Sequence, residues 1–359
     1  MKKEKIVVGM SGGIDSSVSL ILLKQQGFDP IGVSLKLPVW ENPQNLLREN
    51  VCCTKESLET AKEICDNLNV PYFVYNVQDD FQKEVIDYFI GEYKNERTPN
   101  PCIICNRYLK FKKLFDFAKK EKINKIATGH YAVTNKNPNS KQFELFKAKD
   151  SNKDQSYYLA FLKKEWLQNI VFPLGKLLKT ETYQIAEQNG LDQLLCKKES
   201  QDFCFVDGKS LKPFLEEKIG IQKGKIIHEN GKVLGEHNGV HFYTIGQRKG
   251  LHTSLNTPLY VSKLDKKNNI VFVSDNPDDL LSQNFSVANM NWLIDLSSED
   301  LSDIQVQVRY NSYPLPVDKL DIEEDDMKVT LKEPHRAITP GQSAVFYKDK
   351  KVLGGGIIK

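Results

Sequence analysis

The stretch Lys5-Ile-Val-Val-Gly-Met-Ser-Gly-Gly-Ile-Asp-Ser-Ser-Val-Ser-Leu-Ile-Leu-Leu23 changes its apolar period midway. A short β-branched run ends in Gly and Ser, and a helical pattern starts at once, so the spacing predicts strand, tight turn and helix. The turn, Ser11 to Ser16, offers backbone N–H groups without side chains and several hydroxyls at a helix N-terminus. Orphan donors and the helix dipole favour an anion there, and phosphate is the obvious guest. It is not the nucleotide-hydrolase P-loop, because the G-x-x-x-x-G-K-[ST] spacing is absent and no Lys follows the glycines.

Outward from this stretch, the alternation continues. Ile31–Leu37 reads as a second buried parallel strand, with Leu35 near its carboxyl end, where ligands bind in open α/β sheets. A helix over Ser57–Asn69, a strand over Tyr72–Val77 and a helix over Asp80–Tyr93 follow, which implies a doubly wound parallel sheet. Lys125-Ile-Ala-Thr-Gly-His-Tyr131 reads as a strand whose closing Gly129 permits a close backbone approach to a ligand at the same end of the sheet. Beyond Asp207-Gly208 the character changes to short β-like runs separated by turns. His241–Leu251 reads as a strand with a basic turn, and about six short strands from 284 onward suggest a small barrel. The expected division is 1–206 for an α/β domain, 207–280 for a small mixed central domain and 281–359 for a C-terminal β-barrel.

The chain has 359 residues and a net charge of +3, so a nucleic-acid partner must be argued from local patches. No apolar run reaches the length of a membrane span and no signal-peptide pattern opens the chain, so a cytoplasmic location with no membrane partner is expected. Seven cysteines, at 52, 53, 65, 102, 105, 196 and 204, form an odd and irregular set, which argues for reduced thiols. Cys52 and Cys53 receive no role.

In Thr98-Pro-Asn-Pro-Cys-Ile-Ile-Cys-Asn106 a helical pattern begins about where Cys105 falls, so this thiol is expected to feel the helix dipole and nearby Arg107 and Lys110. A redox pair, half of a metal site, and one catalytic thiol with a neighbour all fit C-x-x-C. A zinc ribbon lacks its second ligand pair. The following helix is basic, which is most simply a solvated face. In Asp150–Tyr158, Asp154 or Ser156 is able to cap a short helix, which leaves Lys153 and Gln155 unexplained. Cys204 taken alone is an ordinary buried thiol.

The loop S-G-G-I-D-S (11–16) resembles that of the ATP pyrophosphatases, which split ATP between the α and β phosphates. Together with T-P-N-P-C-I-I-C-N (98–106), A-T-G-H-Y (127–131), D-S-N-K-D-Q-S-Y (150–157), Cys204, Y-T-I-G-Q-R-K-G-L (243–251) and T-P-G-Q-S-A-V-F-Y (339–347), it resembles the bacterial tRNA-specific 2-thiouridylases over nearly the whole chain. The resemblance implies a sulfurtransferase that adenylates the 2-oxygen of a wobble uridine in tRNA and replaces it with sulfur. It implies that Gly9, Met10, Ser11, Gly12, Gly13, Ile14, Asp15, Ser16, Leu35 and Gly129 bind ATP, with Mg2+ near Asp15. It further implies that Cys204 carries a persulfide, supplied by a cysteine desulfurase or relay protein, and that Cys105 attacks it to leave a transient Cys105–Cys204 disulfide. Contacts to tRNA are implied for Asn100, Pro101, Cys102, His130, Lys153, Asp154, Gln155, Arg309, Tyr310 and Gln342, with the basic helix after Cys105 and Arg248-Lys249 expected to supply salt-dependent phosphate contacts. Cys102 departs from relatives that carry Asp there. With Cys105 and Cys204 it would also suit an iron–sulfur cluster, ranked below the persulfide relay. A glutamine-dependent synthetase would share the loop but leave the thiols idle, and a non-enzymatic RNA-binding or iron–sulfur carrier would turn over no ATP.

Overall fold

The computed structural model describes residues 3–43, 45, 55–195, 203–206, 208–251, 253, 257–296, 300–323 and 326–359. Cys52, Cys53 and Cys196 lie outside these. Strand β1 (Lys5–Gly9) is followed by helix α1 (Ile14–Gln25), strand β2 (Asp29–Lys36), helix α2 (Lys55–Asn67) and strand β3 (Tyr72–Asn76). After two helical runs come β4 (Lys125–Ala127), the hairpin β5 (Val133–Lys136) and β6 (Phe143–Phe146), and β7 (Ile170–Val171). The first sheet is parallel, in the order β3-β2-β1-β4-β7. Strand order reverses between β1 and β4, so the crevice beyond their carboxyl ends is the site that such a sheet offers a ligand. Apolar side chains of β1 point both ways, Ile6, Val7 and Val8 all being fully buried, as a central parallel strand covered on both faces requires.

The central domain is a four-stranded sheet of β8 (Gly224–His228), β9 (Val233–His237), β10 (Tyr260–Asp265) and β11 (Ile270–Ser274), ordered β10-β11-β8-β9. His241–Leu251 is not a strand here. Val240–Phe242 forms a single 3-10 turn whose Val240 and Tyr243 join the domain's core, and the chain then runs on as a loop. Burial of these anchors, with a short backbone exchange in which the Gly246 N–H donates to Val261 at 2.8 Å and the Val261 N–H to Gln247 at 3.0 Å, holds the segment.

The C-terminal strands β12 (Leu281–Trp292), β13 (Gln305–Gln307), β14 (Leu315–Ile322), β15 (Asp326–Arg336), β16 (Ser343–Lys348) and β17 (Lys351–Ile358) close into a six-stranded barrel through β12–β17 pairing. Closure removes the exposed sheet edges that an open sheet would leave. One pairing was not foreseen: the β5–β6 hairpin of the α/β domain joins the barrel sheet at Lys351 and Phe146. The α/β core and the barrel thus share one apolar cluster, in which Tyr157 and Phe161 pack with Val345, Tyr347 and Ile357.

Candidate functional site at the sheet switch point and the three-domain junction

The phosphate loop is built almost entirely from its own residues. Gly12 sits at φ +73, and a Cβ there would lie 2.2 Å from the Ser57 carbonyl oxygen. Only glycine fits, and α2 therefore closes directly over the loop. The Ser16 hydroxyl donates to the Gly13 carbonyl at 3.0 Å and accepts from the Ser11 N–H at 3.2 Å, while the Ser17 hydroxyl donates to the same carbonyl at 2.9 Å. Gly13 caps α1 without a side chain. The first-turn N–H groups of α1, which no helix satisfies internally, therefore face the crevice with no capping side chain over them. Met10 is held from behind: its carbonyl accepts the Ser34 hydroxyl at 2.8 Å, which in turn accepts the Tyr72 hydroxyl at 2.7 Å.

Gly129 completes the crevice wall. A Cβ on it would lie 2.7 Å from the Asp15 carbonyl carbon and 2.8 Å from the Ser16 nitrogen, so the end of β4 rests on the first turn of α1. Asp15 is anchored by two groups on its Oδ1, the Tyr131 hydroxyl at 3.0 Å and the buried Lys179 ammonium at 2.7 Å. Tyr131 is itself 2.8 Å from the Thr182 hydroxyl. Lys179 opens the helix Lys179–Gln188, and nothing local in the sequence marks it. Its partner lies 164 residues away.

The thiol segment differs from the expectation in one respect. The helix starts at Pro101, not at Cys105, with Asn100 as its cap: Asn100 Oδ1 accepts from the N–H groups of Cys102 at 3.2 Å and Ile103 at 3.4 Å. Pro at the first helical position and Asn at the cap explain the start. The dipole's field fades within the first turn, so it reaches Cys102 more than Cys105. From Cys105 to Lys110 the backbone takes i→i+5 bonds, the kind of π insertion that recurs at functional sites. Cys105 is buried, and Cys204 is half-buried in the same apolar cluster, together with Phe89, Leu109 and Phe205. Leu35, at the end of β2, packs against this cluster as well as against the main core. Leu35 thereby links the thiol cluster to the carboxyl end of β2, the neighbour of β1 in the sheet. The described cysteines Cys65, Cys102, Cys105 and Cys204 carry thiols. Cys65, deep among aliphatic groups, has its pKa pushed up to about 12 by burial. Among the described residues no three His, Cys, Asp or Glu side chains converge as a metal site.

The remaining residues singled out in the sequence divide into two groups. At the crevice, His130 bonds Thr128 through Nδ1 at 2.8 Å and packs near Phe111. Burial, assisted by Lys110, holds its pKa well below the ordinary histidine value. Gln155 and Tyr131 clamp one another, the Tyr131 N–H donating to Gln155 Oε1 at 3.0 Å and the Gln155 N–H to the Tyr131 carbonyl at 2.8 Å. Asp154 is occupied with its own loop, accepting from the Ala148 N–H at 2.8 Å and the Ser156 hydroxyl at 2.7 Å. Lys153 sits on the turn between them, its N–H bonded to the Asp150 carbonyl at 3.2 Å.

The second group joins domains. Thr98 is the joint: its N–H donates to Pro340, its carbonyl accepts the Gln342 side chain at 2.8 Å, and its hydroxyl meets that of Thr244 at 3.0 Å. Arg309 crosses from the barrel to the Ile245 carbonyl at 3.3 Å while also holding Ala337 and Thr339. Tyr310 stacks on Tyr158 with ring centroids 4.2 Å apart, and Cys102 lies close to Tyr158. Arg107 donates to the Phe161 carbonyl at 2.8 Å and to Asn291 at 3.2 Å, fixing the thiol helix to the barrel.

Comparison with known proteins agrees with this three-part construction. The profile described as the tRNA methyl transferase HUP domain matches residues 4–208, the tRNA methyl transferase PRC-barrel domain 212–275, and the aminomethyltransferase beta-barrel domain 282–358. The tRNA-specific 2-thiouridylase MnmA of Aquifex aeolicus is 41% identical over 358 residues, covering 99% of both chains, and that of Halothermothrix orenii is 40% identical over 360 residues with the same coverage. Among solved structures, a 4-thiouridine synthetase–RNA complex with bound ATP is 16% identical with a TM-score of 0.34, covering 60% of this chain and 50% of that one. The U34-tRNA thiolase NcsA from Methanococcus maripaludis is 19% identical with a TM-score of 0.33, covering 61% of this chain and 66% of that one. Profile matches along all three parts and full-length identity near 40% have one reading: the chain belongs to the tRNA-specific 2-thiouridylase family.

Proposed function

We propose that this enzyme uses ATP to convert the wobble uridine of tRNA to 2-thiouridine, with Cys204 as sulfur carrier and Cys105 as the thiol that releases the sulfur. The observation that carries the reading is the shared cluster of Cys105 and Cys204, packed against the Leu35 end of the nucleotide crevice. A uracil 2-carbonyl carbon is a poor electrophile and its oxygen a poor leaving group. Attack of that oxygen on the α-phosphate of ATP expels pyrophosphate and leaves an adenylate, from which AMP can depart.

Gly9, Met10, Ser11, Gly12, Gly13, Ile14 and Ser16 form the phosphate cradle, with backbone donors aimed at developing charge. Gly12 and Gly129, where a Cβ would strike the Ser57 carbonyl and the Asp15–Ser16 backbone, let α2 and the end of β4 close tightly on the loop, and the uncapped N–H groups of α1 suit a phosphate chain. Asp15 is the carboxylate suited to Mg2+, which supplies charge neutralisation at the phosphates when bound. Lys179 and Tyr131 hold that carboxylate in place. Leu35 offers an apolar rest for the adenine.

Sulfur arrives on Cys204 as a persulfide. The Cys105 thiolate attacks the inner sulfur, forming the Cys105–Cys204 disulfide and releasing hydrosulfide, which attacks the uracil C2 as AMP leaves. A two-electron reductant then restores both thiols. The sulfur donor is a cysteine desulfurase or a relay protein, and the site of action is the cytoplasm, where tRNA is handled. The target base leaves its single-stranded loop at modest cost and reaches Asn100, Pro101, Cys102 and His130. Lys153, Asp154 and Gln155 shape the wall beside it, and Arg309, Tyr310 and Gln342 set the barrel against that wall. We divide the chain at 1–206, 207–280 and 281–359.

The test is incubation with ATP, Mg2+, a persulfide donor and unmodified tRNA, followed by nucleoside mass spectrometry. Formation of 2-thiouridine with AMP and pyrophosphate is expected, and no product from folded protein would refute the assignment. Cys105→Ser and Cys204→Ser each lose at least about a thousandfold in thiolation and retain tRNA binding, since each removes an atom that makes a bond. Full activity of Cys204→Ser with the persulfide donor would refute the relay.

A further inference from the structure

The helix that carries Cys105 continues to Lys120, and one side of it is not explained by the site above. Tyr108, Lys112, Phe115 and Lys119 recur at spacings of four and three, which places them on one stripe, and Lys122, just past the helix end, lines the same side. They face Lys163 and Trp166 across a groove of about 800 Å³ whose lining carries five basic side chains against two carboxylates. A run of lysines is ordinarily a solvated face, but such a face is convex and has no second wall. Here the opposite wall is basic and aromatic too. Trp166 stacks near Phe115 with centroids 5.1 Å apart, and the Lys163 ammonium lies 5.3 Å from the Trp166 ring. Tyr108 is 44% exposed at the end nearest Cys105.

The lysines on the stripe are also differently engaged from their neighbour. Lys113, rotated off it, pairs with Asp80 at 2.7 Å, whereas the ammonium groups of Lys112, Lys119 and Lys122 enter no ion pair among the described residues. Arg107, fixed between Phe161 and Asn291, stands where the groove meets the thiol segment.

We infer that this groove is a track for the sugar–phosphate backbone of the tRNA, leading from the body of the molecule to the thiol site. The inference rests on the tRNA reading above. Phosphates pair with Lys112, Lys119 and Lys122, while Tyr108 and Trp166 offer flat faces to sugars or to an unstacked base. None of these five side chains touches the nucleotide crevice, so the track contributes to affinity and register rather than to the reaction itself.

The test is binding of full-length unmodified tRNA across a salt series, with wild type and the triple variant Lys112→Ala/Lys119→Ala/Lys122→Ala. Removing three phosphate contacts lowers the slope of log K against log salt by about two to three and weakens binding on the order of tenfold or more near 0.1 M salt. Lys120→Ala, off the stripe, leaves both unchanged. An unchanged affinity and slope in the triple variant, with wild type still thiolating tRNA, would overturn the track and leave the function standing. Failure of wild type to bind or thiolate tRNA would instead overturn the underlying reading. Normal tRNA binding with thiolation lost only when a protein persulfide donor replaces inorganic sulfide would assign the groove to the donor, and also overturn the proposal.

Discussion

The phosphate loop and the domain joint at Thr98 are both made of backbone contacts and short hydrogen bonds, yet they are built in opposite ways. In the loop, the Ser11–Ser16 and Gly13–Ser17 bonds span at most five residues. At the joint, Thr98 reaches Thr244, Pro340 and Gln342, from two other domains. A locally closed loop forms wherever its strand and helix form. A joint of this second kind exists only when three domains have docked, so it can be altered while the nucleotide crevice stays intact.

The two constructions should fail differently. The largest effect is expected at Gly12→Ala, where a left-handed φ and a carbonyl 2.2 Å from the new Cβ combine. We expect a loss of about 2–4 kcal/mol in stability and the disappearance of ATP binding, measured by chemical unfolding and nucleotide titration. Retained ATP affinity would show that the loop is not the cradle. Next is Lys179→Met, which leaves Asp15 with Tyr131 as its remaining anchor of the two. It should cost about 1–3 kcal/mol and slow adenylation while tRNA affinity is kept, as read by pyrophosphate release and tRNA binding.

The joint should respond more weakly and in the other direction. Gln342→Ala removes one hydrogen bond to Thr98 and is expected to cost about 1 kcal/mol. It should weaken tRNA binding and leave ATP binding untouched; equal loss of both would erase the distinction between the two regions. At neutral pH the smallest effect concerns His130, and it grows only on acidification. Its folded pKa lies well below the ordinary 6.5, so the unfolded chain binds the proton first as pH falls. The stability tied to neutral His130 is therefore complete above about pH 6.5 and is lost progressively below it, at up to about 1.4 kcal/mol per pH unit. Melting temperatures of wild type and His130→Gln, compared at pH 7.5 and 5.5, should show the smaller pH dependence in the variant.

Legibility in the sequence follows the same division. Strand, turn and helix at 5–23, the parallel sheet and the C-terminal barrel were readable because hydrophobic period and glycine position report local conformation. The start of the thiol helix was misplaced by four residues: Pro101 and Asn100 carry the start signal, but the apolar pattern becomes regular only after Cys105. The His241–Leu251 stretch looked like a strand because its aromatic and β-branched residues suit one, and tertiary burial of Val240 and Tyr243 decided otherwise. Gln155 had no local explanation, and its partner Tyr131 lies 24 residues away.

What the sequence by itself determined is the chemistry available: an anion-binding turn, the thiols, and long motif strings in an order that resembles a tRNA thiolase. What only the tertiary structure decided is which groups meet. Lys179 on Asp15, Cys105 with Cys204 in one cluster, the β5–β6 hairpin on the barrel and Trp166 across from the lysine stripe are all pairings between distant segments. Period and propensity encode the conformation of neighbours along the chain, whereas these contacts follow from how whole elements pack. The phosphate loop could be read from its own residues, but its anchor could not.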